Sequence, residues 1–396
     1  MARVSEGVSS SYFAPREVVS GPGSSASVGA LLRRWQTGGD AVLVVRDAAV
    51  AALGIATRLI DGLVAEGFTP TTFDDITTEP TLEMARAVLE RARSCGAVAV
   101  VGVGGGSCMD MAKLAATYAR EPHAIEAIIE DSSLTSGAMP LVLIPTTAGT
   151  GAEASRVSMV SVNGAKRIVL SQYFVPLAAV LDPSLIMSLP PSVTASGGLD
   201  AISHAFEAYI STNATALTES ASRAAIRMLA TALPRAYAVG DDEAARAATL
   251  TGSHLAGWSL NAGVVLGHSI AYTIANRAHL PHGITTGMAL PYALAYSLPV
   301  VKGRLEVVAA DVSEQSRGSV DGLLHWLREL EGSLGAPTSL AEAGIGSDQL
   351  AAMATECVRD YPRPSNPVPL AQERLEVLLG HFHEGDLSGA ITAMSL

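Results

Sequence analysis

The sequence has few cysteines, few charged side chains and no excess of positive charge. Its three cysteines, Cys95, Cys108 and Cys357, are odd in number and far apart, which excludes a disulfide framework and a thiolate zinc site. Only 16% of the 396 residues are charged and 48% are hydrophobic, which excludes a disordered chain. The net charge of −12 excludes a basic patch for nucleic acid. We expect a compact cytoplasmic protein with small-molecule partners.

The sequence also lacks a segment that we interpret as an export signal or a membrane span. Its start, MARVSEGVSSSYFAP, has no apolar core of signal-peptide length. Residues 255–274 carry no Lys, Arg, Asp or Glu and are long enough to cross a bilayer. They include Trp258, Asn261 and His268, however, and polar groups are costly inside a membrane. We therefore expect a helix buried by other helices there, and no membrane partner.

The two halves of the chain follow different patterns. Continuous apolar runs in the first half are typical of strands buried on both faces; they are residues 41–45, 97–103 and 140–144. Helical periods at 49–66 and 81–93 lie between the runs, which predicts βαβ units and a parallel sheet. From Pro191 onward the periods are almost all helical. We predict an α/β domain over 1–190 and an all-helical domain over 191–396.

A glycine-rich turn follows the second apolar run. Gly104, Gly105, Gly106 and Ser107 lead into a helical stretch that begins near Asp110. Such a turn can aim backbone N–H groups and a helix dipole at a phosphate, and glycine allows the diphosphate to approach closely. Because GxGGGS is not the G-x-G-x-x-G fingerprint, a plain tight turn remains the alternative.

A threonine-rich loop, residues 145–153, follows the third apolar run. Its hydroxyls, on Thr146, Thr147 and Thr150, can hold ribose and phosphate oxygens at the carboxyl end of a parallel strand. The alternative is a capping loop in which Glu153 closes a capping box on Thr150.

Asp47 directly follows the first apolar run. A carboxylate there can accept both hydroxyls of an adenine ribose and repel a 2′-phosphate, which favours NAD over NADP. It precedes Gly104 by 57 positions, whereas the usual acidic residue follows the glycines by about 20. The fold is then a variant of the usual dinucleotide fold, or Asp47 is a helix N-cap.

Four residues in the helical half form a candidate metal group. Asp200 and His204 are four residues apart, so both point from one helix face. His268 and His282 would be about 21 Å apart in one straight helix, but Pro281 and Gly283 break the helix and can place His282 at the start of the next one. Three imidazoles and one carboxylate suit Fe2+ or Zn2+, and we prefer this interpretation to separate core histidines.

Four ordered motifs resemble the iron-containing, or group III, alcohol dehydrogenases. They are GGGS-x-x-D-x-A-K from Gly104, PTTAGTG-x-E from Pro145, D-A-x-x-H-A-x-E-A-Y from Asp200, and G-H-S-I-A ending in L-P-H-G from Gly267. The resemblance implies a Rossmann-like domain, a helical metal domain, NAD(P)(H) and a homodimer. It makes Asp200, His204, His268 and His282 the metal ligands and Gly104 to Ser107 the diphosphate turn. It also places Asp47, Thr146, Thr147 and Lys166 at cofactor-contacting positions. We add Asp110, the aspartate of the first motif, to the candidate cofactor-binding residues.

Two positions depart from the family pattern. Many members have a second histidine where this chain has Tyr272, so the proton donor is open between Tyr272, His279, water and the ribose hydroxyls. Arg277 precedes the last proposed ligand and Arg156 follows the threonine loop. A guanidinium near the substrate would bind an anionic aldehyde, such as phosphonoacetaldehyde or a semialdehyde. The alternative is that both arginines are salt-bridge partners.

The expected reaction is reversible hydride transfer between NAD(H) and a small aldehyde or primary alcohol. The alternatives are an enzyme like glycerol dehydrogenase or dehydroquinate synthase, a reductase of the maleylacetate type, and a non-catalytic binding protein. The set of one Asp and three His disfavours the glycerol dehydrogenase and dehydroquinate synthase type, which usually uses three metal ligands. It also disfavours the maleylacetate type, which uses no metal.

The first prediction concerns the cofactor. NADH should support a higher kcat/KM than NADPH, and Asp47→Gly or Asp47→Ala should narrow the ratio because the negative charge near the 2′ position is removed. Steady-state kinetics with both cofactors measures this. A wild-type enzyme that used NADPH better would leave Asp47 with the capping role alone.

Overall fold

The structure is a computed structural model that describes residues 11–35, 38–76, 80–162 and 165–395. The described chain forms two compact units, one spanning Tyr12–Ser188 and one beginning at Leu189. The division falls close to the boundary predicted after residue 190. The first ten residues of the predicted N-terminal domain, with most of the segment assessed for an export signal, lie outside the described residues.

The first unit has eight strands: β1 Glu17–Ser20, β2 Ala41–Asp47, β3 Thr69–Ile76, β4 Ala99–Gly104, β5 Leu141–Pro145, β6 Val157–Val162, β7 Ala165–Leu170 and β8 Ala178–Leu181. Six of them form a wholly parallel sheet in the order β1-β8-β5-β4-β2-β3, and β6 and β7 form a separate antiparallel hairpin. The helices are α1 Val28–Arg34, α2 Ala48–Ala52, α3 Thr57–Ala65, α4 Leu82–Ser94, α5 Gly106–Tyr118 and α6 Ile125–Glu130.

Helices cover both faces of this sheet, and the strand residues divide between two cores. In β2, Val42 and Val44 belong to the core that includes residues of α1 and α3, whereas Leu43 and Val45 belong to the core that includes residues of α4 and α5. Alternate residues of a strand point to opposite faces, so a continuous apolar run is what a doubly covered strand requires. The predicted α/β fold with a parallel sheet is therefore confirmed.

Several elements differ from the sequence prediction. The helical period over 49–66 is two helices, α2 and α3, because Gly54 between them adopts a left-handed φ of 64°. Strands β1, β3 and β8 and the hairpin were not predicted. The β3 sequence TPTTFDDI is polar, and β8 has only four residues, so neither shows the long apolar run that marked the central strands.

The described residues from Leu189 onward hold helices and no strand, as predicted. The helices are α7 Pro191–Ile210, α8 Ala216–Ala238, α9 Glu243–Ser259, α10 Leu266–Ala278, α11 His282–Asp311, α12 Ser313–Ser316, α13 Val320–Ser333, α14 Leu350–Arg359, α15 Gln372–Glu384 and α16 Leu387–Met394. Residues 255–274 are not one buried helix. The end of α9 and most of α10 occupy that range, because Gly263 breaks the helix with a φ of 75°.

One helix, α11, is long and apolar enough to cross a membrane by length and composition. Its apolar window is 83% buried inside the protein, and its inward residues, such as Tyr292 and Leu294, join the hydrophobic core of the unit. Burial of this extent is typical of the central helix of a bundle.

A buried carboxylate ties the start of the sheet to the end of β8. Asp182 is fully buried and accepts five hydrogen bonds, from the backbone N–H groups of Gly23, Ser25 and Ser184 and from both serine hydroxyls. Burial alone would raise the pKa of Asp182, but the hydrogen bonds hold it below its usual value. The ionised form is therefore the one that stabilises the fold.

The second prediction follows from Asp182. Asp182→Asn should lower the free energy of unfolding by about 3 kcal/mol, because the amide nitrogen cannot accept the bonds that one carboxylate oxygen accepts. Denaturant unfolding at pH 7 measures the loss. Since the folded pKa is depressed, the difference from wild type should shrink as the pH falls below about 4, where the wild-type carboxylate also becomes protonated.

The control is Asp131→Asn, because Asp131 is exposed and caps only Ser133. Its effect on the free energy of unfolding should be much smaller than that of Asp182→Asn. Equal losses for Asp182→Asn and Asp131→Asn would contradict the role of the buried carboxylate.

Candidate active site

The helical unit brings the four predicted metal ligands together. The Nε2 atoms of His204, His268 and His282 lie 3.6, 3.9 and 3.7 Å from the Asp200 Oδ1 atom. These separations are too long for hydrogen bonds. They are close to the ~3.4 Å between ligands arranged around an ion with bonds of about 2.1 Å. The Nε2 atom of His268 is buried and has no hydrogen-bond partner, as expected for a lone pair that faces a metal.

Glu207 orients the most buried of these ligands. Its Oε1 atom lies 2.6 Å from the His268 Nδ1 atom, while its Oε2 atom accepts the backbone N–H groups of Val265 at 2.7 Å and His268 at 3.3 Å. A carboxylate at Nδ1 holds the proton on that nitrogen and leaves Nε2 as the donor to the metal. Asp200, His204 and Glu207 are thus spaced at i, i+4 and i+7 on one face of α7.

Burial sets the protonation of this group. It lowers the pKa of His268 well below its usual value, and the neighbouring imidazoles of His204 and His282 lower it further. Burial also raises the pKa of Glu207 to about 7, against the hydrogen bonds from Val265 and His268. Burial would raise the pKa of Asp200, but the three histidines hold it below its usual range. A neutral imidazole and an ionised Asp200 are the forms that bind a cation.

Two glycines allow the ligand-bearing helices to approach each other. A Cβ atom at Gly267 would lie 2.6 Å from the Glu207 Oε1 atom, and one at Gly283 would overlap the backbone oxygen of Ser196 in α7. Helix α11 begins at His282, after Pro281, as the break in the sequence pattern predicts. The glycines beside His268 and His282 therefore decide how closely both ligands reach Asp200.

Tyr272 lies against the metal group, and His279 does not. The Tyr272 ring stacks on the His282 ring at 5.7 Å with an interplanar angle of 12°, and it meets the His268 ring edge-on at 6.3 Å. Burial raises the pKa of the Tyr272 hydroxyl, so it is protonated at neutral pH. His279 is exposed in the left-handed C-cap of α10, and no described contact joins it to the ligands.

The two arginines predicted as substrate contacts have protein partners. Arg277 forms a bidentate ion pair with Glu356 at 2.6 and 2.9 Å and donates to the Thr273 carbonyl. Arg156 lies in the α/β unit with its Cζ atom 5.2 Å from the centre of the Phe13 ring. Arg277 is therefore a salt-bridge partner, which was the alternative to substrate binding. We remove it from the candidate substrate contacts, because Glu356 already neutralises its guanidinium.

In the α/β unit, the glycine turn and the threonine loop lie side by side at the carboxyl ends of β4 and β5. Thr146 donates its backbone N–H to the Gly104 carbonyl at 3.0 Å. A Cβ atom at Gly106 would lie 2.9 Å from the Thr150 side chain, and one at Gly105 would lie 3.9 Å from Thr147. Gly105 is the N-cap of α5, so the helix dipole begins at this turn.

Asp47 belongs to the same group of residues but has two structural partners. Its Oδ1 atom accepts the Val50 N–H at 2.8 Å, which makes it the N-cap of α2, and its Oδ2 atom accepts the Gly105 N–H at 3.2 Å. The capping alternative is thus present in the structure, together with a direct bond to the glycine turn.

Two other predicted cofactor residues are placed differently. Asp110 is buried, accepts the Met159 N–H at 3.0 Å and lies 3.6 Å from the Lys113 ammonium, so its carboxylate holds the hairpin on α5. Burial raises its pKa to about 6. Lys166 is exposed on β7, and no described contact joins it to the glycine turn. We reassign Asp110 to a structural role, because its oxygens are used inside the protein.

Sequence reasoning missed three residues at the metal group: Glu207, Tyr361 and Arg363. Glu207 had a detectable signal, since it lies on the same helical face as Asp200 and His204. Tyr361 and Arg363 had none, because their loop lies far along the chain from Tyr272, whose ring they contact.

A parallel sheet with a glycine turn, together with an Asp-and-three-His group on helices, defines the class of metal-dependent nucleotide-linked oxidoreductases. Residues 15–183 match the family described as iron-containing alcohol dehydrogenase, and residues 194–382 match its C-terminal domain. The chain belongs to the iron-containing alcohol dehydrogenase family, and it is an enzyme of this group, as its sequence motifs predicted.

Individual proteins agree with this family. Long-chain-alcohol dehydrogenase 1 of Geobacillus thermodenitrificans is 32% identical over 364 residues, which cover 89% of this chain and 91% of the relative. The crystal structure of a 1,3-propanediol oxidoreductase matches with a TM-score of 0.88 at 27% identity, covering 94% of this chain and 100% of that one. The crystal structure of sulfoacetaldehyde reductase from Bifidobacterium kashiwanohense in complex with NAD+ matches with a TM-score of 0.86 at 26% identity. The match covers 95% of this chain and 99% of that one. An aldehyde and alcohol oxidoreductase is the activity these matches share.

The third prediction compares a substitution of His268 with a substitution of its partner Glu207. His268→Ala should lose most of the metal and the activity together, since one bond and the closed ligand sphere are removed. Glu207→Gln should weaken metal binding by about 10- to 100-fold. If the amide oxygen accepts the two backbone N–H groups, the amide nitrogen donates to Nδ1 and moves the imidazole proton to Nε2, where the metal binds.

Elemental analysis and competition with a chelator measure both effects. The matched control is Glu219→Gln, because Glu219 pairs with Arg304 in the same unit, outside the ligand group. Full metal occupancy in His268→Ala would contradict the ligand assignment, and unchanged affinity in Glu207→Gln would contradict the orienting role.

Proposed function

We propose that this enzyme reduces a small aldehyde to a primary alcohol with NADH, and catalyses the reverse oxidation with NAD+. The aldehyde takes up one hydride at its carbonyl carbon and one proton at its oxygen, and NADH becomes NAD+. The observation that carries the proposal is the group of Asp200 and three histidine Nε2 atoms, with the Tyr272 ring stacked on the His282 ring.

The carboxylate of Asp200 and the three imidazoles fit a divalent metal ion. We propose Fe2+ in preference to Zn2+, because the chain belongs to the iron-containing family. When bound, such an ion polarises the carbonyl, and a bound nicotinamide supplies the hydride. Asp200, His204, His268 and His282 would hold the ion, and Glu207 would keep His268 in the binding tautomer. The presence of a fourth candidate ligand, His282, near Asp200 favours this function over the alternatives that use three ligands or none.

Tyr272 is the candidate proton donor. Its hydroxyl stays protonated at neutral pH, and its ring stacks on the ring of His282, one of the candidate metal ligands. It can pass its proton to the oxygen of the forming alcohol and recover it from solvent. His279 is the weaker candidate because it is exposed and apart from the ligands.

The α/β unit supplies the cofactor site in this proposal. Gly104 to Ser107 would receive the diphosphate, Thr146, Thr147 and Thr150 the neighbouring oxygens, and Asp47 the adenine ribose. The relative crystallised with NAD+ supports this cofactor. We further propose a cytoplasmic homodimer that binds neither nucleic acid nor membrane, in keeping with the acidic composition and the family resemblance.

The fourth prediction tests the activity and its proton donor. Enzyme loaded with Fe2+ should oxidise NADH in the presence of butanal, and Tyr272→Phe should lower kcat by about 100-fold while its metal content stays near that of wild type. Absorbance of NADH and elemental analysis measure the two quantities.

His279→Asn is the matched control, because asparagine tolerates the left-handed conformation of that residue. Its kcat should stay within about twofold of wild type. Loss of activity in His279→Asn with a fully active Tyr272→Phe would reverse the assignment, and absence of activity with every aldehyde would reject the function.

A further inference from the structure

An arginine that the sequence did not single out lies above the metal group. Arg363 belongs to the loop between α14 and α15, and its Cζ atom lies 5.7 Å from the centre of the Tyr272 ring. Tyr272 in turn stacks on His282 at 5.7 Å. Two consecutive ring contacts therefore connect the guanidinium to His282, one of the candidate metal ligands.

Arg363 lacks the carboxylate partner that nearby arginines have. Arg277 pairs with Glu356, and Arg359 pairs with Asp360 at 2.7 Å. Among the residues that the structure describes, no carboxylate lies within 4.0 Å of the Arg363 guanidinium, and its buried Nε has no hydrogen-bond partner. A buried donor without a partner costs free energy, and an oxyanion of a ligand would satisfy it.

The loop that carries Arg363 is fastened to the helices of the metal group. Its Tyr361 carbonyl accepts the Ser269 hydroxyl at 2.6 Å, and the Asn366 side chain accepts the Leu266 N–H at 3.2 Å, both from α10. Its Ser365 carbonyl accepts the Thr212 N–H at 2.9 Å, just after α7. These bonds hold Arg363 in place before any ligand binds, which lowers the cost of binding one.

The charge around the ligands also favours an anion. The Arg363 guanidinium interacts electrostatically with Glu207, but that buried carboxylate is already bonded to the His268 ring and to two backbone N–H groups. Glu207 forms no salt bridge with Arg363 among the described residues, so the guanidinium charge has no direct carboxylate partner. A neutral aldehyde would leave that charge unbalanced in a partly buried site. An aldehyde with a negative terminal group would neutralise it.

We propose that Arg363 binds the anionic end of the substrate, and that the enzyme acts on short aldehydes carrying a carboxylate, sulfonate or phosphonate. This inference rests on the proposed aldehyde reduction and adds its substrate class. The guanidinium fork binds two oxygens of such a group and orients the carbonyl toward the Asp200 ligand group. Arg363 replaces Arg277 as the anion-binding residue.

The fifth prediction compares charged and neutral aldehydes in the metal-loaded enzyme. Wild type, Arg363→Met and Arg363→Lys are assayed with succinic semialdehyde, sulfoacetaldehyde, phosphonoacetaldehyde and neutral butanal. In Arg363→Met, kcat/KM for at least one charged aldehyde should fall by about 100-fold, mainly through KM, and butanal should change by less than about threefold. Arg363→Lys should recover part of the loss. The charged aldehyde that loses most identifies the terminal group.

Arg359→Met is the matched control, because Arg359 is an exposed arginine four positions earlier with its own partner. Arg359→Met should leave kcat/KM unchanged for all four aldehydes. A binding measurement independent of turnover accompanies the kinetics. Calorimetry of the holoenzyme should show that propanoate or ethanesulfonate binds at least tenfold more tightly than propanamide, and that Arg363→Met abolishes the preference.

The outcomes separate this inference from the proposed function. Equal losses for butanal and the charged aldehydes, or no loss, overturn the role of Arg363 and leave the aldehyde reductase in place. Activity with no aldehyde overturns the proposed function, while the calorimetry still decides anion binding. If Arg363→Met does not fold, wild-type enzyme that binds propanamide as tightly as propanoate overturns the inference.

Discussion

The hydrogen bond between Glu207 and His268 is the interaction on which the metal group depends. It places the proton on Nδ1, and only then does the Nε2 lone pair face Asp200. The same carboxylate also accepts the backbone N–H of Val265 at the start of α10. One side chain thus orients the imidazole of His268 and positions the start of the helix that carries it.

Glycines allow neighbouring segments of the chain to approach closely in both units. In the helical unit, Gly267 makes room for the Glu207 carboxylate and Gly283 makes room for the α7 backbone. In the α/β unit, Gly106 allows the threonine loop to lie against the start of α5. At each position a Cβ atom would separate groups that must be within a few ångströms of each other, so the glycines set distances within the unit to which they belong.

The residues around Tyr272 determine what the metal group can recognise. In the proposed function, Tyr272 supplies a proton through its hydroxyl, and its ring stacks on the ring of His282. The Arg363 guanidinium also contacts the Tyr272 ring. The proposed roles of Tyr272 as proton donor and Arg363 as anion-binding residue together suit the reduction of an aldehyde that carries its own negative charge.

The sequence by itself predicted the parallel sheet, the helical second half and the four candidate ligands that the fold brings together, because apolar runs, the Asp200 to His204 spacing and the Pro281 break are local signals. Tertiary structure alone decided the roles of the charged side chains. Arg277 and Arg363 look alike in sequence, but one meets Glu356 and the other meets the Tyr272 ring. Such partners come from distant segments, and a local pattern carries no information about which charges folding brings together.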